Sequence, residues 1–221
     1  CSQNYNGPES IEFNYLTESY FIANSNNGQI LELDSNNELS IFASNLGSGP
    51  HGLEIVNNIL YACSGERLKA FDLNDGTQIL NYNLNGSFLN GITHKENILF
   101  ITDFSDRKLY TYNIETQNHE EIALFNKNPN GTYWDEINER LLVVCWGNNA
   151  PIYNVNYVDG EYSTIINTGF GNLDGITMDE CGNFYISDDN KSFPSEITET
   201  FEKTIILDGF LEKPDYDSME E

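Results

Sequence analysis

One pattern returns five times along this chain, at intervals near 40 residues, and it limits the fold more than any other feature. Each copy opens with a polar residue followed by Gly or Ser, runs into an apolar stretch, turns, and continues into a second apolar stretch. The first copy reads Pro8-Glu9-Ser10-Ile11-Glu12-Phe13, then Tyr20-Phe21-Ile22-Ala23. The second reads Pro50-His51-Gly52-Leu53-Glu54-Ile55, then Ile59-Leu60-Tyr61-Ala62. The third, fourth and fifth open at Asn90-Gly91, Asn130-Gly131 and Asp174-Gly175. Their second stretches are Leu99-Phe100-Ile101-Thr102, Leu141-Leu142-Val143-Val144 and Phe184-Tyr185-Ile186-Ser187. The opening residues 9, 51, 90, 130 and 174 are thus separated by 42, 39, 40 and 44 positions.

Each copy continues into two further strand-like runs, with turn signals such as Asn26-Asn27-Gly28 and Asn74-Asp75-Gly76 between runs. Apolar residues alternate with a period of two, and no helical period appears. Four short antiparallel strands repeated at a fixed period of roughly 40 residues make a β-propeller blade. A β-sandwich supplies strands but no such fixed period. The expected fold is therefore all-β: a β-propeller of six-bladed type, with five clear four-stranded repeats and the start of a sixth at residues 213–217. Residues 8–221 form one domain, and residues 1–7 form an N-terminal tether.

Composition narrows the partners. Thirty-five acidic residues against 10 basic give a net charge of −25, which opposes phosphate backbones and anionic lipid surfaces and excludes nucleic acid as a partner. No apolar run approaches the roughly 20 residues a membrane-spanning helix needs. Aromatic residues are 13% of the chain, too many for a disordered acidic tail. The 31 asparagines suit a turn-rich protein, because Asn tolerates left-handed backbone angles.

Four cysteines, Cys1, Cys63, Cys145 and Cys181, show no zinc-binding spacing. Cys63 and Cys145 end apolar runs and read as small buried hydrophobes. Cys1, followed by Ser and Gln, has the form of a lipidated lipoprotein terminus. That reading puts the domain on a membrane through a lipid anchor alone, as a secreted, periplasmic or cell-surface lipoprotein. If residue 1 is merely where the sequence was cut, a cytoplasmic location stands equally.

In a propeller the innermost strand of each blade lines the central channel. The residue before the repeated Gly or Ser opens that strand, so Glu9, His51, Asn90, Asn130 and Asp174 form a ring at one mouth. Asn or Asp before Gly has a plain backbone reading as a turn residue. A turn alone has no need of Glu, His, Asn and Asp at one fixed position. Carboxylates and amide carbonyls converging on an axis make a hard, oxygen-rich site for a divalent cation, calcium first and zinc second. Trp134 and Trp146 read as blade core. Asp103 and Asp188 end second strands at matching places.

These residues resemble the gluconolactonase and regucalcin group of six-bladed propellers, the senescence-marker-protein and luciferin-regenerating-enzyme family. The resemblance implies one divalent metal held by a first-blade Glu, a middle-blade Asn and an Asp of the following blade. Glu9, Asn130 and Asp174 match those positions. It further implies Asn90 as a substrate-binding residue, with His51 beside it, and Asp174 as the base in hydrolysis of a lactone or carboxylic ester. The sequence departs from the family in lacking Gly-Pro after Glu9 and in placing Phe88 and Leu89 where a substrate-orienting Arg stands. Two functions follow as expectations. One is a metal-dependent hydrolase acting on a small-molecule lactone or ester. The other is a non-catalytic propeller lipoprotein that binds a protein partner in an envelope complex.

Overall fold

The computed structural model describes residues 5–179 and 182–188, together with the backbone of residues 205–207. Cys1, Cys181, residues 213–217 and the position of a fourth strand in the fifth repeat lie outside the described residues. Every described regular element except one short 3-10 turn is a β-strand.

The first sheet is β1 (Pro8–Asn14), β2 (Ser19–Asn24), β3 (Gln29–Leu33) and β4 (Leu39–Ala43), hydrogen-bonded in that order. The second is β5 (Leu53–Val56), β6 (Ile59–Ser64), β7 (Arg67–Asp72) and β8 (Gln78–Asn83). The third is β9 (Leu89–Lys95), β10 (Ile98–Asp103), β11 (Lys108–Asn113) and β12 (Asn118–Leu124). The fourth is β13 (Asn128–Asp135), β14 (Arg140–Trp146), β15 (Pro151–Val155) and β16 (Tyr162–Asn167). The fifth has three described strands, β17 (Leu173–Met178), β18 (Phe184–Asp188) and β19 (Ile205–Leu207). All pairings are antiparallel between consecutive strands. This is a β-propeller with four complete four-stranded blades and a three-stranded fifth sheet among the described residues; the expected sixth blade falls outside them.

The core is divided into four seams, one between each pair of neighbouring blades. Phe21, Ala23, Ile30, Leu53, Leu60 and Phe71 fill the first seam. Tyr61, Leu68, Leu89, Leu99 and Tyr112 belong to the second. Phe100, Trp134 and Tyr153 belong to the third, and Leu142, Val144, Leu173 and Phe184 to the fourth. Period-two alternation sends one set of side chains to each flank of a blade, so both flanks are apolar, as a sheet packed on both sides requires. Cys63 and Cys145 are fully buried in these seams, and burial raises both thiol pKa values, that of Cys145 to about 12. They are packing residues, as expected. Trp134 is also core, stacked on Phe100 under the ammonium of Lys95.

The innermost strands β1, β5, β9, β13 and β17 stand as successive neighbours. On the outer flank of the first blade Ile11 is 62% exposed, while its counterparts Leu53 and Ile92 are at 5% and 6%. Residues 6 and 7 of the tether are bound to this blade: the Ser25 N–H donates to the Gly7 carbonyl at 2.9 Å, and the Asn6 N–H to Asn24 Oδ1 at 2.6 Å.

The asparagine content has a concrete use. In each complete blade an Asp or Asn ends the third strand or directly follows it, and its side chain accepts backbone N–H groups of the following turn. Asp34 Oδ1 takes those of Asn36 and Glu38, at 2.9 and 2.8 Å. Asp72 takes that of Asn74, Asn113 those of Glu115 and Thr116, and Asn156 that of Val158. These side chains replace the backbone partners that the turn cannot supply.

Candidate functional site at the axial mouth

The repeated glycines are not turn residues. None of Gly52, Gly91, Gly131 and Gly175 lies in the left-handed region. What they provide is room. A Cβ on Gly52 would stand well under 3.0 Å from the Asn90 carbonyl oxygen. The same holds for Gly91 against Asn130 and Gly131 against Asp174. Gly52, Gly91 and Gly131 therefore each seat the carbonyl of the next blade's opening residue. The Gly52 N–H donates to that oxygen of Asn90 at 2.8 Å. In the first blade Ser10 occupies the position, and its hydroxyl donates to the His51 carbonyl at 2.7 Å. In blade three the Thr102 hydroxyl completes the joint, accepting from the Gly91 N–H and donating to the Asn130 carbonyl at 2.8 and 2.6 Å.

Strand register shifts at these dipeptides in blades one, three, four and five. Such bulges re-aim side chains, and here they fall at the residues the sequence singles out. Asn130 is buried, 2% exposed. Its Nδ2 donates to the Leu173 carbonyl at 3.1 Å and to Asp174 Oδ1 at 2.7 Å, so the amide is oriented and held beside the carboxylate. Its Oδ1 is buried with no partner. His51 is 7% exposed; its Nε2 lies 3.4 Å from Ser25 Oγ and its Nδ1 is buried without a partner. Burial lowers the His51 pKa, which leaves the ring neutral at pH 7. Asn90 is partly buried at the start of β9. Glu9 is solvent-exposed in the first blade, three blades round from Asn130.

An arc of rings shoulders the same end of the propeller. His51 meets Phe88 edge-on at 4.6 Å between centroids, Phe88 meets Phe104 at 5.8 Å, and Phe104 meets Trp146 at 5.8 Å. Phe88, Phe104 and Trp146 are each partly exposed. Trp146 thus belongs to the mouth and not to the blade core: it ends β14, is partly exposed, and its ring meets that of Phe104. Asp103, fully buried, holds the arc in place. Its carboxylate accepts the N–H groups of Ser87, Phe88 and Asp106 at 2.6, 3.2 and 2.9 Å. Asp103→Ala strands three donors, so it is expected to lower unfolding free energy by about 2–3 kcal/mol. Urea denaturation checks this; an unchanged midpoint would remove Asp103 from that role.

For a cation, the described residues offer the oxygens of two neighbouring side chains, Asn130 and Asp174, although it is the amide Nδ2 and not Oδ1 of Asn130 that faces the carboxylate. That set suits a hard ion such as calcium, which completes its shell with water. Among the described residues no three His, Cys, Asp or Glu side chains gather at metal-binding separation, so the nitrogen and sulfur shell zinc prefers is not assembled there.

No family model matches the sequence, and no curated protein matches it. Solved structures do. A chain of the nidogen/laminin complex superposes with a TM-score of 0.72 at 14% identity, covering 83% of this chain and 73% of that one. A protein of unknown function from Bacteroides thetaiotaomicron VPI-5482 gives 0.71 at 15% identity, covering 85% of this chain and 54% of its own. Virginiamycin B lyase from Staphylococcus aureus gives 0.68 at 15% identity, covering 83% and 64%. The chain thus spans between about half and three quarters of the structures it matches. At these identities the likeness shows the fold: this is a β-propeller protein. The gluconolactonase and regucalcin resemblance is not among these matches.

Proposed function

We propose that this propeller binds a small oxygen-rich ligand at the mouth where His51, Asn90, Asn130 and Asp174 open the inner strands. One observation carries the reading. Of three buried side-chain polar atoms without a partner among the described residues, two are His51 Nδ1 and Asn130 Oδ1. Folded proteins seldom leave such atoms unsatisfied, and each costs about 1–3 kcal/mol unless a ligand, ion or water meets it. Two orphans at matching repeat positions favour a ligand over chance.

Asn130 Oδ1 and Asp174 would hold a divalent cation, calcium most readily, with Glu9 reaching the site from across the ring. A bound cation would polarise a carbonyl oxygen. The chain's own groups then suffice for hydrolysis of a lactone or ester. Asp174 accepts a proton from water as the water oxygen bonds to the carbonyl carbon; the carbon–oxygen bond to the leaving alcohol then breaks, and the departing oxygen takes that proton back from Asp174. Asn90 orients the substrate by its amide, and the Phe88–Phe104–Trp146 arc covers an apolar portion. Virginiamycin B lyase has a catalytically inactive His-to-Ala form solved with quinupristin. A propeller can therefore carry histidine-dependent chemistry, and His51 is the histidine this mouth offers. Fold likeness alone does not transfer activity.

The same mouth without turnover is a binding module, and the exposed aromatic arc favours that second reading. Elemental analysis and calorimetric calcium titration decide first. The wild type is expected to hold about one calcium per chain, with affinity falling about tenfold or more in Asn130→Ala and Asp174→Ala. Wild type that takes up no calcium or zinc overturns the cation site and the hydrolytic step together. Calcium binding without turnover on lactones and esters leaves the binding module.

A further inference from the structure

The dipeptide Asn-Gly occurs five times, at residues 6–7, 27–28, 85–86, 90–91 and 130–131. Asparagine is chemically labile, and here its side chain can react with its own backbone. The nitrogen of the following peptide bonds to the side-chain carbonyl carbon, ammonia leaves, and a five-membered succinimide ring closes. Glycine favours the step, because no Cβ obstructs the approach. The reaction needs a side-chain amide and a following N–H that nothing holds, and water to reopen the ring.

The fold blocks four of the five. Asn6 Nδ2 donates to Asn27 Oδ1 at 2.6 Å, and Asn6 Oδ1 accepts from Asn26 at 3.2 Å. Asn27 is held by the first of these bonds, and the Gly28 N–H donates to the Ser25 carbonyl at 3.1 Å. The Gly91 N–H donates to the Thr102 hydroxyl at 2.8 Å. Asn130 is 2% exposed, and its amide is bound to Leu173 and Asp174.

Asn85-Gly86, in the loop between the second and third blades, differs on each count. Asn85 is exposed. The Leu84 N–H donates to the Glu66 carbonyl at 3.2 Å, and that of Asn85 to Asn83 Oδ1 at 2.6 Å. Those of Ser87 and Phe88 go to Asp103, and that of Leu89 to the Gly65 carbonyl at 2.8 Å. Among the described residues the Gly86 N–H has no acceptor, and neither the Asn85 carbonyl nor its side-chain amide makes a hydrogen bond. The peptide unit between Asn85 and Gly86 is thus unrestrained at both polar atoms, while the chain on each side is pinned. Such a unit can rotate between its two Cα atoms without moving its neighbours, and glycine accepts either orientation. Rotation turns the Gly86 nitrogen toward the Asn85 side chain.

We propose that Asn85-Gly86 is a spontaneous modification site, at which succinimide closure and reopening by water convert Asn85 to isoaspartate or aspartate. The Gly86 nitrogen gives up its proton and bonds to Asn85 Cγ, and the amide nitrogen leaves with that proton as ammonia. Water then adds across one of the two ring carbon–nitrogen bonds. Opening at the main-chain carbonyl gives isoaspartate; opening at the side-chain carbonyl gives aspartate. Isoaspartate adds one main-chain atom and one carboxylate. Both fall where Gly86 packs against Asp103, since a Cβ on Gly86 would stand well under 3.0 Å from Asp103 Oδ2. The longer chain and the like charge loosen the bonds from Ser87 and Phe88 to Asp103, and with them the contact of Phe88 with His51.

The test ages the whole chain at about pH 8, folded and in urea, and maps its peptides by mass spectrometry. Deamidation reads as a gain of about 1 Da, and isoaspartate as methyl transfer by an isoaspartate methyltransferase. In the folded chain residues 85–86 are expected to react at least about fivefold faster than any other Asn-Gly. In urea the five rates are expected to converge, because only the dipeptide then matters. The aged fraction, separated by its added charge, is expected to unfold at lower urea than fresh protein. Asn85→Gly has no amide to lose and suits the left-handed backbone at φ 58°, so its midpoint is expected to survive ageing. A folded-state rate at 85–86 no greater than at 90–91 or 130–131 overturns the proposal. Aged protein with an unchanged midpoint overturns the link to the Asp103 loop. Ligand binding at the mouth has no part in either result.

Discussion

Gly91→Ala and Gly131→Ala are each expected to lower the unfolding free energy by about 3 kcal/mol, although alanine is otherwise the better strand residue. The reason is steric. The new methyl group would occupy the position of a neighbouring blade's backbone carbonyl, Asn130 for the first and Asp174 for the second. A side chain in that place could rotate away; a carbonyl in a hydrogen-bonded strand cannot. The inner strands would have to separate, opening the seams filled by Trp134 and Leu173. Gly175→Ala is the comparison. Among the described residues a Cβ there meets Ser187 Oγ at 3.2 Å and no backbone. Its expected cost is under about 1 kcal/mol. Urea denaturation of the three variants reads all of this. Equal small losses would mean that the close approach does not constrain the blades. A loss at Gly175 as large as at Gly91 would show a further strand seated against β17.

Stability should also fall as pH rises from about 4.5 to about 8, through one carboxyl group in the first seam. The Glu12 pKa stands at about 8 against an ordinary 4.5. Burial is the main cause and the Glu54 carboxylate the next, while the hydrogen bond from the Ile55 N–H opposes both. The Ile55 N–H donates to Glu12 Oε1 at 3.2 Å, lacing β1 to β5. Glu54 is raised as well, chiefly by burial, and is bonded to His94 of β9; Tyr133 of β13 faces the same group. Because the folded pKa lies above the unfolded one, the contribution is whole below pH 4.5 and is lost as pH climbs through 8. The slope for one proton is about 1.4 kcal/mol per pH unit. Glu12→Gln keeps an acceptor for Ile55 and removes the charge, so its stability should be flatter and should exceed that of the wild type at pH 8–9. Denaturation curves between pH 5 and 9 test it, and parallel profiles for the two proteins would refute it.

The propeller was legible in the sequence because a blade is a local object. Each repeat carries its own alternation and its own turn residues, and the period survives even where identities change, as between Glu9 and His51. The axial mouth was half legible. Position within the repeat marks His51, Asn90, Asn130 and Asp174, and the structure confirms contact between the last two. The glycine beside them reads equally well as a turn residue, because sequence does not show that a neighbouring carbonyl fills the space. The arc of Phe88, Phe104 and Trp146 was hidden for a related reason. Its rings come from two blades and meet across loops, so no spacing announces them. The Glu12–Glu54–His94 group is likewise invisible in one dimension, since each member occupies an ordinary strand position and the three converge across blade seams. The Asp or Asn that closes each third strand was present at a fixed repeat position and could have been read as part of the pattern.

Those closing residues have a consequence for what the molecule can host. At Asp72, Asn113 and Asn156 the backbone N–H groups of the turn are bound by a side chain from its own hairpin. A peptide grafted beyond such an anchor adds chain that closes on itself, and lengthening a surface loop costs little entropy. The third-blade hairpin, exposed over residues 115–118, is therefore the natural insertion point for a reporter or an epitope, whereas in blades two and four Gly76 lies against Phe42 and Gly160 against Ile122 of the preceding blade.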